Sequence, residues 1–398
     1  MKKICVFLCI LNCLFLLTGC WDRKELSEIK LVAGMAIDKG ENAKYKLTVE
    51  ALNAVELNTQ TASGNAPTIV EGIEGNTISE ITHLLNEYYA QSLVFSHMKI
   101  LVISEEIARS GMLDFIDFLE RNREIRDDFN IIIAKDGKAE DILKIVAHYR
   151  KASSLKLSPQ LDHLLEDWGG DPGMSIIEFI SELNLEGKEP VLATVRVKGD
   201  VEKGKSMENI MKVTPDAIVV VDSLAIFKKG KLVGFLSMED SRNYLWIRNK
   251  LKTTSLSIKC KQGDYSSVRV TESQTEITSK WKNNKPAIHV GIKAEGYLEG
   301  TQCYKSVDKL GTIEKYEKLV NKVLSQEISN SISHVQSQYE SDIYGFGEAM
   351  RRQDYDSFMK IKDKWDQEFS KADIKVDVDF VLRRSGIRSK SFLTGTEK

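Results

Sequence analysis

Histidine, cysteine and proline are scarce in this 398-residue chain, at six of each. The histidines (His83, His97, His148, His163, His289 and His334) are scattered, and no ligand pair stands at metal spacing, so no metal site is expected. Three cysteines, Cys5, Cys9 and Cys13, lie within the first 15 residues. Apart from Cys20, only Cys260 and Cys303 remain, too few for a disulfide framework. They either pair or stay as free thiols in strands. Long apolar runs are missing too. The longest, Ile4 to Leu17, has 14 residues and is broken only by Asn12. A membrane-spanning helix needs about 20. Basic residues number 56 against 58 acidic ones, with no basic stripe interleaved with aromatics, so nothing calls for nucleic acid. Catalytic signatures are absent: there is no G-x-S-x-G, no GxxxxGK[ST], no H-E-x-x-H and no GxGxxG after a strand. The cluster Gly169-Gly170-Asp171-Pro172-Gly173 lacks the lysine and the preceding strand of a phosphate loop and reads as a turn. Paired acids such as Asp127-Asp128 and Glu239-Asp240 read as a solvated surface, and no cofactor is expected.

What is present begins at the N-terminus. Met1-Lys2-Lys3 gives a short positive region before the apolar run, and Leu17-Thr18-Gly19-Cys20 closes it. That is the form of a secretory leader ending in a bacterial lipobox. Small residues before Cys20 let the chain lie extended in a peptidase groove, and the thiol is the atom that accepts a diacylglyceryl group. Residues 1–19 are therefore read as a lipoprotein signal peptide and Cys20 as the lipidated first residue. One acyl chain anchors only marginally, whereas a diacylglyceryl thioether with an N-acyl chain anchors stably. Trp21 would then sit at headgroup level. Removing Lys2 and Lys3 leaves 54 basic side chains against 58 acidic ones in a mature chain of 379 residues, long enough for two or three domains. The ectodomain from Arg23 onward is expected to fold alone.

Periodicity gives an α+β reading. Ile29–Ile37 and Tyr45–Leu52 read as strands, Thr59–Thr68 as a flexible loop, and Thr77–Tyr89 as a helix. His97–Ser104 and Phe129–Ala134 are buried strands, separated by a helix opening at Glu105 and followed by a helix over Ala139–Tyr149. Leu155–Trp168 reads as helical after Pro159, and another helix over Ile176–Leu183 and a strand over Val191–Val197 come next. The hairpin Ala225–Leu236 turns at Lys229-Gly230, and a short helix covers Ser237–Asn249. Strands at Leu256–Cys260, Ser267–Lys280 and Ala287–Leu298 follow, the last pair turning at Asn283-Asn284-Lys285-Pro286. A long helix from Thr312 carries apolar residues three to five apart up to Tyr339 and is expected to pack into the concave face of a curved antiparallel sheet. Asp354–Phe369 reads as one helix and Lys375–Leu382 as a final strand. Composition shifts divide the mature chain into an N-terminal α/β domain (20–137), a helix-rich middle domain (138–210) and a C-terminal α+β domain (211–398).

Several stretches resemble the Ger(x)C family, the lipoprotein C subunits of nutrient germinant receptors of bacterial endospores. They are Gly19-Cys20-Trp21-Asp22-Arg23-Lys24-Glu25-Leu26, Gly34-Met35-Ala36-Ile37-Asp38-Lys39, His97-Met98-Lys99, Asp117-Phe118-Leu119-Glu120-Arg121, Leu232-Val233-Gly234-Phe235-Leu236 and Asp342-Ile343-Tyr344-Gly345-Phe346-Gly347. The resemblance implies a three-domain, non-enzymatic ectodomain. It implies assembly with an A and a B integral membrane subunit on the outer surface of the spore inner membrane, with the B subunit binding the nutrient. Trp21, Asp22, Arg23 and Phe346 are the candidate partner contacts. Two glycines flank Phe346, so the chain there can turn to present the ring or bury it. The competing classes are a lipid-anchored solute-binding protein, which predicts two lobes around a large pocket, and an envelope hydrolase, which predicts a convergent acid or nucleophile cluster.

Overall fold

The computed structural model describes residues 25–58, 60–122, 125–170, 172–259, 263–302 and 310–384. Cys20, Trp21, Asp22, Arg23, Cys260 and Cys303 lie outside them, and with them the questions of lipidation and of disulfide pairing.

Two sheets and the helices around them make an α+β body. The first sheet has nine strands: β1 (Ile29–Lys39), β2 (Tyr45–Leu52), β3 (Thr68–Gly75), β4 (Ser92–Val94), β5 (Ile100–Ser104), β6 (Asn130–Ala134), β7 (Val191–Gly199), β8 (Ala217–Lys228) and β9 (Lys231–Phe235). Their order is β3-β2-β1-β5-β6-β7-β8-β9, with β4 beside the start of β1. The centre, β1-β5-β6-β7, is parallel, and antiparallel hairpins flank it on both sides. β5 and β6 are buried on both faces, as their unbroken apolar runs require.

One face packs on α1 (Ile78–Leu84), α2 (Glu105–Ser110), α3 (Leu113–Arg121) and, further along the chain, the helix Ile176–Leu183. The other face packs on α4 (Ala139–Lys144) and α5 (Ser153–Asp167) and continues into the C-terminal core. The sheet runs through positions 138 and 211, where composition shifts suggest boundaries: β7 and β8 extend the same sheet on either side of the charged segment 201–214.

The second sheet holds β10 (Thr254–Lys259), β11 (Tyr265–Lys282), β12 (Lys285–Thr301) and β13 (Asp373–Arg384). Helix α6 (Ile176–Leu183) and the buried helix α7 (Met238–Ile247) precede it. The long helix α8 (Leu310–Gln338) lies on one face of this sheet and buries Tyr316, Val320, Leu324, Ile328, Ile332 and Val335 against it. Each such aliphatic side chain contributes about 2 kcal/mol. The sheet is mixed rather than wholly antiparallel, because the chain returns from β12 through helices and β13 enters parallel to it. Side chains of α8 close the outer edge of β13. Asn321 accepts from the Phe380 amide and Glu317 from the Leu382 amide, both at 2.8 Å.

Local chemistry explains the elements that match the sequence reading. Asn283 and Asn284 both take positive φ, 53° and 58°, which makes a two-residue β11–β12 turn, with Lys285 and Pro286 already in β12. Ser175 and Glu178 form a capping box that starts α6 where expected.

The differences also have causes. The helix opening at Glu105 breaks at Gly111, whose φ is 126°. α4 stops at Lys144, because the Val146 amide donates to the Gly204 carbonyl and its carbonyl accepts from Asn209. α5 starts at Ser153, two residues before the expected Leu155, since the buried Glu50 carboxylate on β2 takes the Ser153 and Ser154 amides at 3.0 Å and so caps it. The segment read as a flexible loop is organised about Glu56, and β3 follows it, a strand the sequence reading leaves unassigned.

The Glu50 cap fixes Ser154 against β1. A Cβ on Gly34 would lie 1.9 Å from the Ser154 hydroxyl and 3.0 Å from its Cβ. Gly34→Ala is therefore expected to cost about 2 kcal/mol through overpacking. Urea unfolding should show the loss, and a Gly34→Ala/Ser154→Ala double variant should recover part of it. Equal stability of Gly34→Ala and the parent would contradict the packing argument.

Candidate functional site

Phe346 does not face outward. It opens α9 (Phe346–Gln353) and is fully buried, its ring centroid 5.3 Å from that of Tyr344 and 6.2 Å from that of Phe369. Of the two readings of this segment, the buried one is what the structure contains, and Phe346 cannot serve as a surface contact. The physical cause is Asp342. Its Oδ1 accepts from the amides of Tyr344 (3.1 Å) and Gly345 (2.9 Å), and its Oδ2 from the Gly347 amide (2.8 Å) and the Trp365 indole N–H (2.9 Å). The carboxylate folds the next five residues around itself and turns Phe346 inward. Gly345 supplies the left-handed bend at φ 78°. Burial pushes the Asp342 carboxyl up to about 6, against the pull of these N–H bonds.

This turn joins the two sheets. The Asp342 carbonyl accepts from the Glu189 amide at 2.8 Å, just before β7, and the Ser341 hydroxyl donates to the Phe227 carbonyl of β8 at 2.8 Å. Arg248 donates to the Tyr344 carbonyl at 2.9 Å. Gly187 and Gly347 pass so closely that a Cβ on Gly187 would sit 2.7 Å from the Gly347 Cα. Trp365 opens α11 (Trp365–Ser370), separated from α10 (Tyr355–Ile361) by a short 3-10 turn. The single helix expected over Asp354–Phe369 is thus divided, and the indole swings to Asp342. An aspartate followed by glycines three and five residues later was the available signal, since such side chains take their own downstream amides.

Open clefts also lie elsewhere among the described residues. One, of about 540 Å³, sits at the carboxyl ends of β1 and β5, where the chain departs to opposite sides of the sheet. That is where open α/β sheets hold ligands. Here the lysines are engaged: Lys39 pairs with Glu106 at 2.6 Å, Lys46 with Glu140 at 2.9 Å, and Lys138 reaches Glu140 at 3.8 Å. Burial pushes the Glu140 carboxyl up, but the Lys144 and Lys46 ammoniums outweigh it and hold it down to about 2. Another cleft, about 410 Å³, lies on the exposed face of the second sheet, lined by Gln274, Glu276, His289, Lys293, Asp377 and Asp379. Among the described residues there is no group of three or more His, Cys, Asp or Glu placed to hold a metal ion. Nor is any helix among them long and apolar enough to cross a membrane.

The architecture and the sequence meet in known relatives. The model of the spore germination protein N-terminal domain matches residues 22–197, and that of the C-terminal domain of spore germination B3/GerAC-like proteins matches residues 222–386. The chain belongs to the Ger(x)C family of spore germination proteins. Spore germination protein KC of Bacillus subtilis (strain 168) is 30% identical over 98% of this chain and 97% of its own length. Spore germination protein B3 of the same organism is 24% identical over 98% of this chain and all of its own. The crystal structure of the GerBC protein superposes with a TM-score of 0.54, at 21% identity, over 91% of this chain and 100% of that one, and shows the same fold. A germination protein of the C-subunit type is therefore what the family membership supports, and the Asp342 turn lies within the C-terminal family domain.

Proposed function

We propose that this chain is the lipid-anchored C subunit of a nutrient germinant receptor, required for the germination response. It is held through acylated Cys20 on the outer surface of the spore inner membrane and acts by assembly with integral membrane A and B subunits. The observation that carries this reading is the match of the two family domains along nearly the whole mature chain. A closely packed, hydrogen-bonded junction between two sheets suits a body that transmits or stabilises contacts rather than one that opens around a solute. Trp21, Asp22 and Arg23, next to the anchor, remain the proposed membrane-proximal partner contacts.

The test is co-purification. Tagged protein extracted from spore membranes should bring down two integral membrane subunits in fixed proportion. Calorimetric titration of the purified protein with amino acids and sugars should show no specific heat. Recovery of the anchored protein without either subunit, or tight nutrient binding by the protein alone, would move the reading to a solute-binding lipoprotein.

A further inference from the structure

The end of the nine-stranded sheet where the chain enters β1 carries an unusual surface. Between Glu56 and Glu71 no residue is charged, a stretch of 14 in a chain that is 29% charged. Its base is closed by the Asn53 amide on the Pro67 carbonyl (2.8 Å) and the Asn53 side chain on the Ala66 carbonyl (3.1 Å). Its interior is held by Glu56, which accepts from the Ser63 hydroxyl at 2.6 Å, the Gly64 amide at 3.0 Å and the Asn65 side chain at 3.2 Å. The one acid in the loop is thus only 2% exposed and is used inward. What points outward is neutral: small polar side chains, with Val55 (57% exposed) and Ile69 (40%) on either side. Tyr88 (54%), next to the exposed Glu87, lies at the same end of the sheet, just before β4 pairs with the first residues of β1.

We propose that residues 54–58 and 60–70 together with Tyr88 rest on the headgroup layer of the bilayer that holds the Cys20 lipid. The inference rests on the acylation of Cys20 and goes beyond it by naming the face that meets the membrane. The tether decides the occupant. Cys20 and Glu25 are five residues apart, so the chain spans at most about 18 Å between them. β1 then carries the sheet about 35 Å away from that point over its 11 residues. The entry end is therefore held at the lipid surface, whether or not a protein partner is present. A neutral, pre-ordered loop costs little to dehydrate there, whereas exposed charges cost much more. Aliphatic side chains and a tyrosine are the groups that the interface favours. The opposite end also shows apolar side chains, Met211 and Val213, but it follows the far end of β7 and supplies the control.

The experiment uses the full mature acylated chain carrying Cys260→Ser and Cys303→Ser, with a single new cysteine at Val55, Ala62 or Val213 labelled with the environment-sensitive dye NBD. The protein is reconstituted in phosphatidylcholine–phosphatidylglycerol vesicles. Emission at 55 and 62 should rise several-fold and be quenched by nitroxide-headgroup lipid, while emission at 213 stays unchanged. A response at 213 instead, or none at 55 and 62 while mass spectrometry finds the acyl chains on Cys20, overturns the proposal. A response that appears only when the vesicles contain other spore membrane proteins assigns the face to a protein and overturns it as well. Absence of the acyl mass on Cys20 removes the anchor, and with it both this surface and the anchoring reading. That failure is scored by mass alone, independently of the dye.

Discussion

A Cys20→Ala chain is expected to lose its acyl label, leave the membrane fraction and render spores unresponsive to the nutrient of its receptor. Lipid transfer needs a thiolate nucleophile, and neither alanine nor serine supplies one, so Cys20→Ser should behave the same way. Membrane affinity grows by about 0.8 kcal/mol for each buried CH₂, so two or three long acyl chains make attachment stable where one chain would not. Nothing else described in the chain replaces that energy, since no helix among the described residues can span a bilayer. The effect should be close to all or none. Metabolic labelling with palmitate, fractionation and a germination assay on the same strain measure it. Full labelling and membrane retention of the alanine variant would sink both the anchor and the surface assigned to the loop about Glu56.

Asp342→Asn is expected to destabilise the folded chain by about 3 kcal/mol, an unusually large effect for so conservative a change. Asparagine keeps one acceptor oxygen, which can still serve Tyr344 and Gly345. Its amide nitrogen then faces two donors, the Gly347 amide and the Trp365 indole, and both are left buried and unpaired. The same site fixes a pH dependence. Its folded pKa, pushed up to about 6 by burial, lies above the ordinary aspartate value of 3.8. Between those values the folded state holds more protons than the unfolded one. This group's contribution is therefore fully present below about pH 4 and is lost as pH rises through about 6. The stability difference between parent and Asp342→Asn should thus widen on acidification from pH 7 to pH 5. Denaturant unfolding at the two pH values measures it, with Trp365→Phe as a milder variant that removes a single donor. A gap that narrows on acidification would show that the carboxylate is held ionised instead.

The sequence reveals what its neighbours in the chain decide. The turn Asn283-Asn284, the hairpin at Lys229-Gly230, the start of α6 at Ser175 and the apolar stripe of α8 all rest on residues within one helical turn or one strand spacing of each other. What stays hidden depends on distant partners. The start of α5 at Ser153 has no local signal, because its true cap is Glu50, about a hundred positions earlier. The inward turn of Phe346 is set by Asp342, Gly187 and Trp365, which come together only in the fold. The parallel entry of β13 follows from the path of four intervening helices and leaves no local trace in Lys375–Leu382, whose alternation fits either direction. At the site the limit is of another kind. The cysteine proposed to carry the lipid rests on its lipobox alone, while the proposed partner surfaces have no motif.

The side chains of Asn321 and Glu317 on the outer amides of β13 have a consequence for how copies of this chain would behave if, anchored as proposed, they were crowded on one membrane. A bare terminal strand is a template for another strand, and anchored molecules confined to a plane meet each other's rims far more often than molecules free in solution. With two of those amides already engaged by α8, a neighbour seeking to add a strand there must first displace helix side chains. Side-by-side polymerisation through that rim is thereby disfavoured.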